Sequence, residues 1–288
     1  MADLSNPAVV RALLARHQLR LKKGLGQNFL VNPGVCPRMA QAAGAGPEVG
    51  ALEIGPGIGV LTTQLAERCQ KVVAVELDQS LAPALEETLQ DFSNVEIVWG
   101  DFLKLDLEAL LGKFGDLPVI VCANLPYYIT TPILMRLLES RLPLQSITVL
   151  LQKETAQRIC ATLPSRQAGA ITAAIAWYSQ PELLFTVSKG SFLPAPKVDS
   201  AVVRLTLRRE PPVLVEDEVM LFRVIRGAFA QRRKTLLNGL SAALELSKEE
   251  LTPLLVQAEV DPGARAEQLD LEAFARIANR LTRPGSQS

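Results

Sequence analysis

Leu52-Glu53-Ile54-Gly55-Pro56-Gly57-Ile58-Gly59 decides the fold. The stretch closes an apolar run over residues 49–54 and opens into residues 61–68, where apolar side chains recur at helical spacing. Glycines in a strand-to-helix turn let the backbone approach a bound nucleotide closely. The spacing departs from a dinucleotide turn. G-x-G-x-x-G would place its third glycine at residue 60, where Val60 stands, and the third glycine is instead Gly59.

Outward from this turn, short strand-like runs alternate with helix-like segments. Strands are expected at Lys71–Glu76, Val95–Trp99, Val119–Asn124 and residues 146–151, and helices at 81–89, 132–141 and 154–163, with Pro132 suited to a first helical turn. Alternation of this kind predicts an α/β fold with a mostly parallel sheet covered by helices on both faces. After Gly169 the pattern changes to a helical stretch, an apolar run at 183–187, a Pro-rich loop at 192–196 and a strand at 201–207, which reads as an antiparallel ending to the sheet. From about Val215 the composition is helical, with Gly239 and Pro262-Gly263 read as breaks. The expected organisation is a basic segment at 1–30, a Rossmann-like domain at 31–210 and a small all-α domain at 211–288.

The bulk properties exclude several classes. At 288 residues and 48% hydrophobic the chain can bury a large core, yet no run approaches the roughly eighteen apolar residues of a membrane span, and a cytoplasmic setting without membrane association is expected. Cys36, Cys69, Cys122 and Cys160 are scattered without metal-ligand spacing, and His17 is the single histidine, so no metal site is expected. The formal net charge is zero, but Arg11, Arg16, Arg20, Lys22 and Lys23 cluster near the start, and Arg223, Arg226, Arg232, Arg233 and Lys234 form a second basic group.

Acidic residues at successive strand ends extend the nucleotide reading. Glu76 ends the second strand, where a carboxylate accepts from ribose hydroxyls, and Asp101 follows the third, placed to accept from an adenine amino group of a cofactor. Asn124-Leu125-Pro126-Tyr127 ends the fourth strand, at the edge where open α/β sheets place ligands. With its E-x-G-x-G-x-G spacing, the glycine turn resembles that of class I S-adenosylmethionine-dependent methyltransferases.

Longer stretches carry a closer resemblance: Leu25-Gly26-Gln27-Asn28-Phe29-Leu30, Val75-Glu76-Leu77-Asp78, Leu151-Gln152-Lys153-Glu154, Phe192-Leu193-Pro194-Ala195-Pro196-Lys197-Val198-Asp199-Ser200 and Gln231-Arg232-Arg233-Lys234-Thr235. Together with the turn and Asn124 to Tyr127 they resemble the ribosomal RNA adenine dimethyltransferase family. The resemblance implies dimethylation of two adjacent adenosines in a hairpin loop near the 3′ end of small-subunit ribosomal RNA, with S-adenosyl-L-methionine as cofactor and S-adenosyl-L-homocysteine as product. It assigns the cofactor to Asn28, Leu30, Gly55, Gly57, Glu76, Asp101 and Asn124, and the target adenine to Asn124, Leu125, Pro126, Tyr127 and Phe192, with Tyr127 and Phe192 stacking on opposite faces. Arg20, Lys22, Lys23, Arg232, Arg233 and Lys234 are the expected phosphate contacts, on an immature small subunit as partner, for a monomer with no obligate protein partner. The alternatives are a large-subunit enzyme of the antibiotic-resistance type and an assembly checkpoint factor with secondary catalysis. Tyr128, where many relatives have Asn, and Ala195, in a usual proline run, depart from the pattern.

Overall fold

The computed structural model describes residues 3–231 and 233–282, with Lys23 described in its backbone only. In chain order the elements are α1 (Pro7–Arg16), β1 (Phe29–Leu30), α2 (Val35–Ala43), β2 (Gly50–Ile54), α3 (Val60–Ala66), β3 (Lys71–Glu76), α4 (Ala82–Leu89), β4 (Val95–Trp99), α5 (Leu107–Gly112), β5 (Val119–Asn124), α6 (Thr130–Glu139), β6 (Leu144–Gln152), α7 (Lys153–Ile159), α8 (Ala170–Tyr178), β7 (Ser179–Val187), β8 (Phe192–Leu193), β9 (Ser200–Leu207), α9 (Glu218–Phe229), α10 (Leu236–Leu244), α11 (Lys248–Gln257) and α12 (Leu271–Thr282). They fall into two compact units, residues 1–156 with 181–207 and residues 157–180 with 208–288. The division near 207 lies close to the expected one at 210, but 157–180, read from sequence with the sheet, clusters with the C-terminal helices.

The first unit is built on a seven-stranded sheet in the order β4-β3-β2-β5-β6-β9-β7. β4 through β6 pair in parallel, and β9 runs antiparallel to β6, as the changed pattern after Gly169 predicts. β2 and β5 are buried almost throughout, consistent with helices on both faces. Each fully buried side chain such as Leu52 or Val121, both at 0% exposure, contributes about 1.5–3 kcal/mol. Strand order reverses between β2 and β5, so their carboxyl ends, Ile54 and Asn124, flank the crevice where such sheets bind ligands.

The second unit packs α9 against α10 and α12. Gly239, read from sequence as a helix break, lies inside α10. A Cβ there would stand 3.0 Å from the Gly227 carbonyl oxygen, and one at Gly227 would meet the Ala243 Cβ at 2.5 Å. The pair of glycines therefore lets two helix backbones touch. Phe229 and Phe274 (ring centroids 5.8 Å apart) and the stacked Tyr178 and Phe222 (5.4 Å) complete the aromatic part of this core.

Candidate active site

A cleft of about 1080 Å³ opens at the carboxyl ends of the parallel strands. Its walls come from residues 25–30, the glycine turn, the ends of β3 and β4, and Asn124 to Ile129. Asn28, Leu30, Gly55, Gly57, Glu76, Asp101, Asn124, Leu125, Pro126 and Tyr127 all line it, so one space gathers these residues from five segments of the chain.

Two glycines shape the floor differently. Gly55 has φ +75° and nothing within 4 Å of where a Cβ would stand, so its missing side chain is open cleft. Gly57, at φ +61°, instead lies under Phe29, whose ring would meet a Cβ at 2.9 Å, and its N–H donates to Glu76 Oε2 at 3.1 Å. Glu76 Oε1 accepts from the Asp78 N–H at 2.8 Å, which leaves each carboxylate oxygen further acceptor capacity on the cleft side of β3. Burial raises the Glu76 pKa despite those backbone hydrogen bonds. Asp101 is oriented by the Leu103 N–H, which donates to Oδ1 at 3.0 Å.

Glu53 is buried to 1% exposure and lines the same cleft, with Oε2 lacking any hydrogen-bond partner. Burial pushes its carboxyl up to about 8, a pull from the Thr62 hydroxyl opposes this, and the like charge of Glu76 adds to it. Sequence reading quoted Glu53 in the turn but gave it no role. Its signal is the residue type itself, a carboxylic acid inside an otherwise apolar central strand.

Asn124 Nδ2 donates to the Asn28 carbonyl at 3.2 Å, which ties β5 to the N-terminal segment and fixes the amide so that Oδ1 remains an acceptor. The Pro126 carbonyl accepts from the Ile129 N–H at 3.2 Å and the Thr130 hydroxyl at 3.1 Å. The Tyr127 hydroxyl is held by Ser200 Oγ at 2.6 Å, and burial raises its pKa, so the phenol stays neutral in ordinary buffers. Ser200 is a buried positioning residue that sequence reading missed; it starts β9 opposite Gln152, so the register brings two quoted motifs, 151–154 and 192–200, together.

Phe192 departs from expectation. It is 4% exposed, pairs through β8 with Leu30 of β1, joins the buried cluster that contains Leu30 and Val202, and is not among the residues lining the cleft. The structure therefore places Phe192 in that cluster and not with Tyr127 in the cleft wall. Tyr128, by contrast, is 58% exposed at the cleft mouth, its ring 3.5 Å from where a Gly26 Cβ would stand.

The expected phosphate contacts are only partly available. Lys22 Nζ pairs with Asp78 Oδ1 at 2.6 Å, and Gln27 Nε2 donates to Asp78 Oδ2 at 2.9 Å, so Lys22 anchors the N-terminal segment. Burial pushes the Asp78 carboxyl up, but hydrogen bonds from Lys22, Ser80 and Gln27 outweigh it and hold it low. Arg16 and His17 are likewise spent on Glu87. Arg20, Arg233 and Lys234 are exposed, whereas Arg232 and the Lys23 side chain lie outside the described residues. Cys36, Cys69 and Cys122 are buried thiols, and among the described residues no cluster fit to hold a metal ion is found. No helix among them is long and apolar enough to cross a membrane.

Comparison with known proteins sharpens this picture. A family model described as "Ribosomal RNA adenine dimethylase" matches residues 18–283. A "Ribosomal RNA small subunit methyltransferase A" from Geobacillus sp. (strain WCH70) is 44% identical over 284 residues, covering 97% of this chain and 98% of its own. The protein of the same name from Geobacillus thermodenitrificans is 46% identical with 97% of each chain covered. Among solved structures, a dimethyladenosine transferase from Plasmodium falciparum superposes with TM-score 0.70 at 24% identity over 86% of this chain and 95% of its own. The 23S rRNA methyltransferase ErmE gives 0.67 at 27% identity over 89% of this chain and 100% of its own.

Proposed function

We propose that this chain, which belongs to the ribosomal RNA adenine dimethylase family, dimethylates the exocyclic amino groups of two adjacent adenosines in the 3′-terminal hairpin loop of small-subunit ribosomal RNA. It is an S-adenosylmethionine-dependent rRNA adenine methyltransferase; the position in the RNA and the small subunit as partner are our reading. The donor set of the cleft fits the cofactor. Glu76 offers acceptors to a ribose, Asp101 to an adenine amino group, and Gly55 leaves room for close approach to the backbone. When bound, S-adenosylmethionine supplies an electrophilic methyl group on a positively charged sulfur.

The chain's own contribution is positioning. An adenine amino group is a poor nucleophile because its lone pair is delocalised into the ring. Hydrogen bonds accepted by Asn124 Oδ1 and the Leu125 carbonyl would turn that lone pair out of conjugation. The orientation of Asn124 by the Asn28 carbonyl is the observation that carries this reading, because only the Nδ2 group can donate there. With the Pro126 carbonyl already accepting two hydrogen bonds, the Leu125 carbonyl is the main-chain acceptor we assign at the rim. Tyr127, pinned by Ser200, offers a ring for the base, worth about 1–3 kcal/mol by stacking. No general base is required, because the methylated ammonium intermediate is acidic enough to lose its proton to water, so positioning carries the catalysis. The target adenosine must be unpaired or flipped to enter, which suits a loop.

We assign RNA contacts to Arg20, Arg233 and Lys234, and shape discrimination to the helical unit, acting on an immature small subunit as a monomer in the cytoplasm. The similarity to ErmE keeps a large-subunit target as the second reading. Incubation of the purified protein with under-methylated small and large subunits and tritiated cofactor separates them. We expect label in small-subunit RNA as dimethyladenosine; label confined to large-subunit RNA overturns the assignment.

A further inference from the structure

Residues 17–28, between α1 and β1, hold no helix or strand beyond one 3₁₀ turn at Lys23–Leu25, yet residues 25–28 form a wall of the cleft. A wall without regular structure keeps its shape through its anchors. Leu19 and Leu21 pack on the apolar cluster that contains Ile58 and Leu85, and β1 holds the other end by pairing with β8. Between those points residues 22–28 depend on side-chain hydrogen bonds, and these converge on Asp78.

Asp78 is 4% exposed and is not among the residues lining the cleft. Its Oδ1 accepts from Lys22 Nζ at 2.6 Å, from the Ser80 hydroxyl at 2.6 Å and from the Ser80 N–H at 3.1 Å, while Oδ2 accepts from Gln27 Nε2 at 2.9 Å. The Lys22 N–H donates in turn to Gln27 Oε1 at 2.9 Å, so Lys22, Gln27 and Asp78 close a ring. From Gln27 the chain passes directly to Asn28, whose carbonyl accepts from Asn124 Nδ2. On its other side the Asp78 N–H donates to Glu76 Oε1. Asp78 thus stands one hydrogen bond from Glu76 and two from Asn124. Bonds to an ionised carboxylate are roughly twice as strong as neutral ones, so the ring outweighs the single bond between Asn124 and Asn28 in fixing this stretch.

We propose that Asp78 is a positioning residue for methyl transfer. By clamping residues 22–28 against the end of β3 it sets the Asn28 carbonyl and hence the Asn124 amide, so a carboxylate outside the cleft couples cofactor binding to orientation of the target amine. This rests on the roles given above to Glu76 and Asn124 and is independent of which RNA is methylated. The coupling is reciprocal: a closed wall strengthens cofactor binding by the factor by which the cofactor favours the closed wall.

The test separates positioning from folding. Asp78→Asn keeps the size and an acceptor for Ser80, but places an amide where Lys22 and Gln27 need a carboxylate. Lys22→Met changes a half-exposed side chain, so it serves if the buried change is not tolerated, and Lys22→Arg keeps the cation. Each variant is assayed by single-turnover methyl transfer at saturating S-adenosylmethionine, on whichever under-methylated subunit the wild type labels, beside calorimetry with the cofactor. We expect transfer to fall about tenfold or more in Asp78→Asn and about threefold in Lys22→Met, with cofactor affinity weakening alongside, while Lys22→Arg stays within about twofold of wild type. Adding Lys22→Met to Asp78→Asn lowers transfer no further, because both remove the same clamp.

Amide hydrogen exchange across residues 20–28 of the free protein gives a readout without ligand or RNA. Exchange there quickens in Asp78→Asn and Lys22→Met while the strands of the sheet keep wild-type protection. Loss of affinity with an unchanged rate at saturating cofactor overturns the coupling to Asn124, and additive losses overturn the shared clamp. Exchange that quickens throughout the first unit, with transfer per folded molecule unchanged, makes Asp78 a structural residue and overturns the proposal. A wild type that binds no S-adenosylmethionine, or labels neither subunit, overturns instead the reading on which the proposal rests.

Discussion

At Gly55, in the α/β unit, the space of the missing side chain is open cleft, whereas at Gly227 and Gly239, in the helical unit, it is filled by another helix. Sequence spacing marks Gly55 as part of the glycine turn, but it does not mark Gly227 or tell that Gly239 lies inside a helix. The difference separates a glycine whose missing side chain widens the cleft from two whose missing side chains let helices α9 and α10 meet. Gly57 stands between these cases: the Phe29 ring occupies its side-chain space, while its N–H donates to the Glu76 carboxylate in the cleft wall.

The sharpest way to break this comparison is to put side chains where the space is taken. Gly239→Leu drives a side chain into the Gly227 backbone and is expected to cost about 3 kcal/mol or more, the upper end of overpacking penalties. Denaturant unfolding measures it, and a change below about 1 kcal/mol would show that α9 and α10 move apart freely. Gly55→Val tests the opposite case. Its positive φ costs roughly 1–3 kcal/mol of backbone strain, and the branched side chain enters the cleft, so cofactor affinity should fall at least about tenfold, more than stability alone explains.

Smaller effects probe what surrounds the cleft. Ser200→Ala strips the Tyr127 hydroxyl of its partner and should cost about 1–2 kcal/mol, of which adding Tyr127→Phe recovers a part in a double-mutant cycle. Lys22→Met removes a half-exposed ion pair with Asp78 and should cost less than about 1 kcal/mol, with the difference shrinking further at high salt. A larger loss in cofactor affinity than in stability would mark Lys22 as a latch of the N-terminal segment.

Much of the first unit was legible before the structure. Lys71–Glu76, Val95–Trp99 and Val119–Asn124 match residue for residue; β3 and β5, buried almost throughout, announce themselves as continuous apolar runs, and β4, a partly buried edge strand, by its β-branched and aromatic residues. α5 escaped notice because a six-residue span leaves little periodic signal. The cleft residues were legible because a glycine turn and strand ends place side chains by topology alone. Phe192 was not, because a phenylalanine before a Pro-rich turn reads the same whether it faces a ligand or a core, and here β8 pairing with Leu30 carries it inward. Glu53 escaped for a different reason: its meaning lies in a missing partner, which no pattern of residue types reveals.

The most direct test of the account is Asn124→Ala, assayed for single-turnover methyl transfer to under-methylated small subunits beside calorimetry with S-adenosylmethionine. The account predicts that transfer falls about a hundredfold or more, as when a preorganised hydrogen-bonding group is removed from a catalytic site, while cofactor binding changes far less. Transfer near the wild-type rate would contradict it.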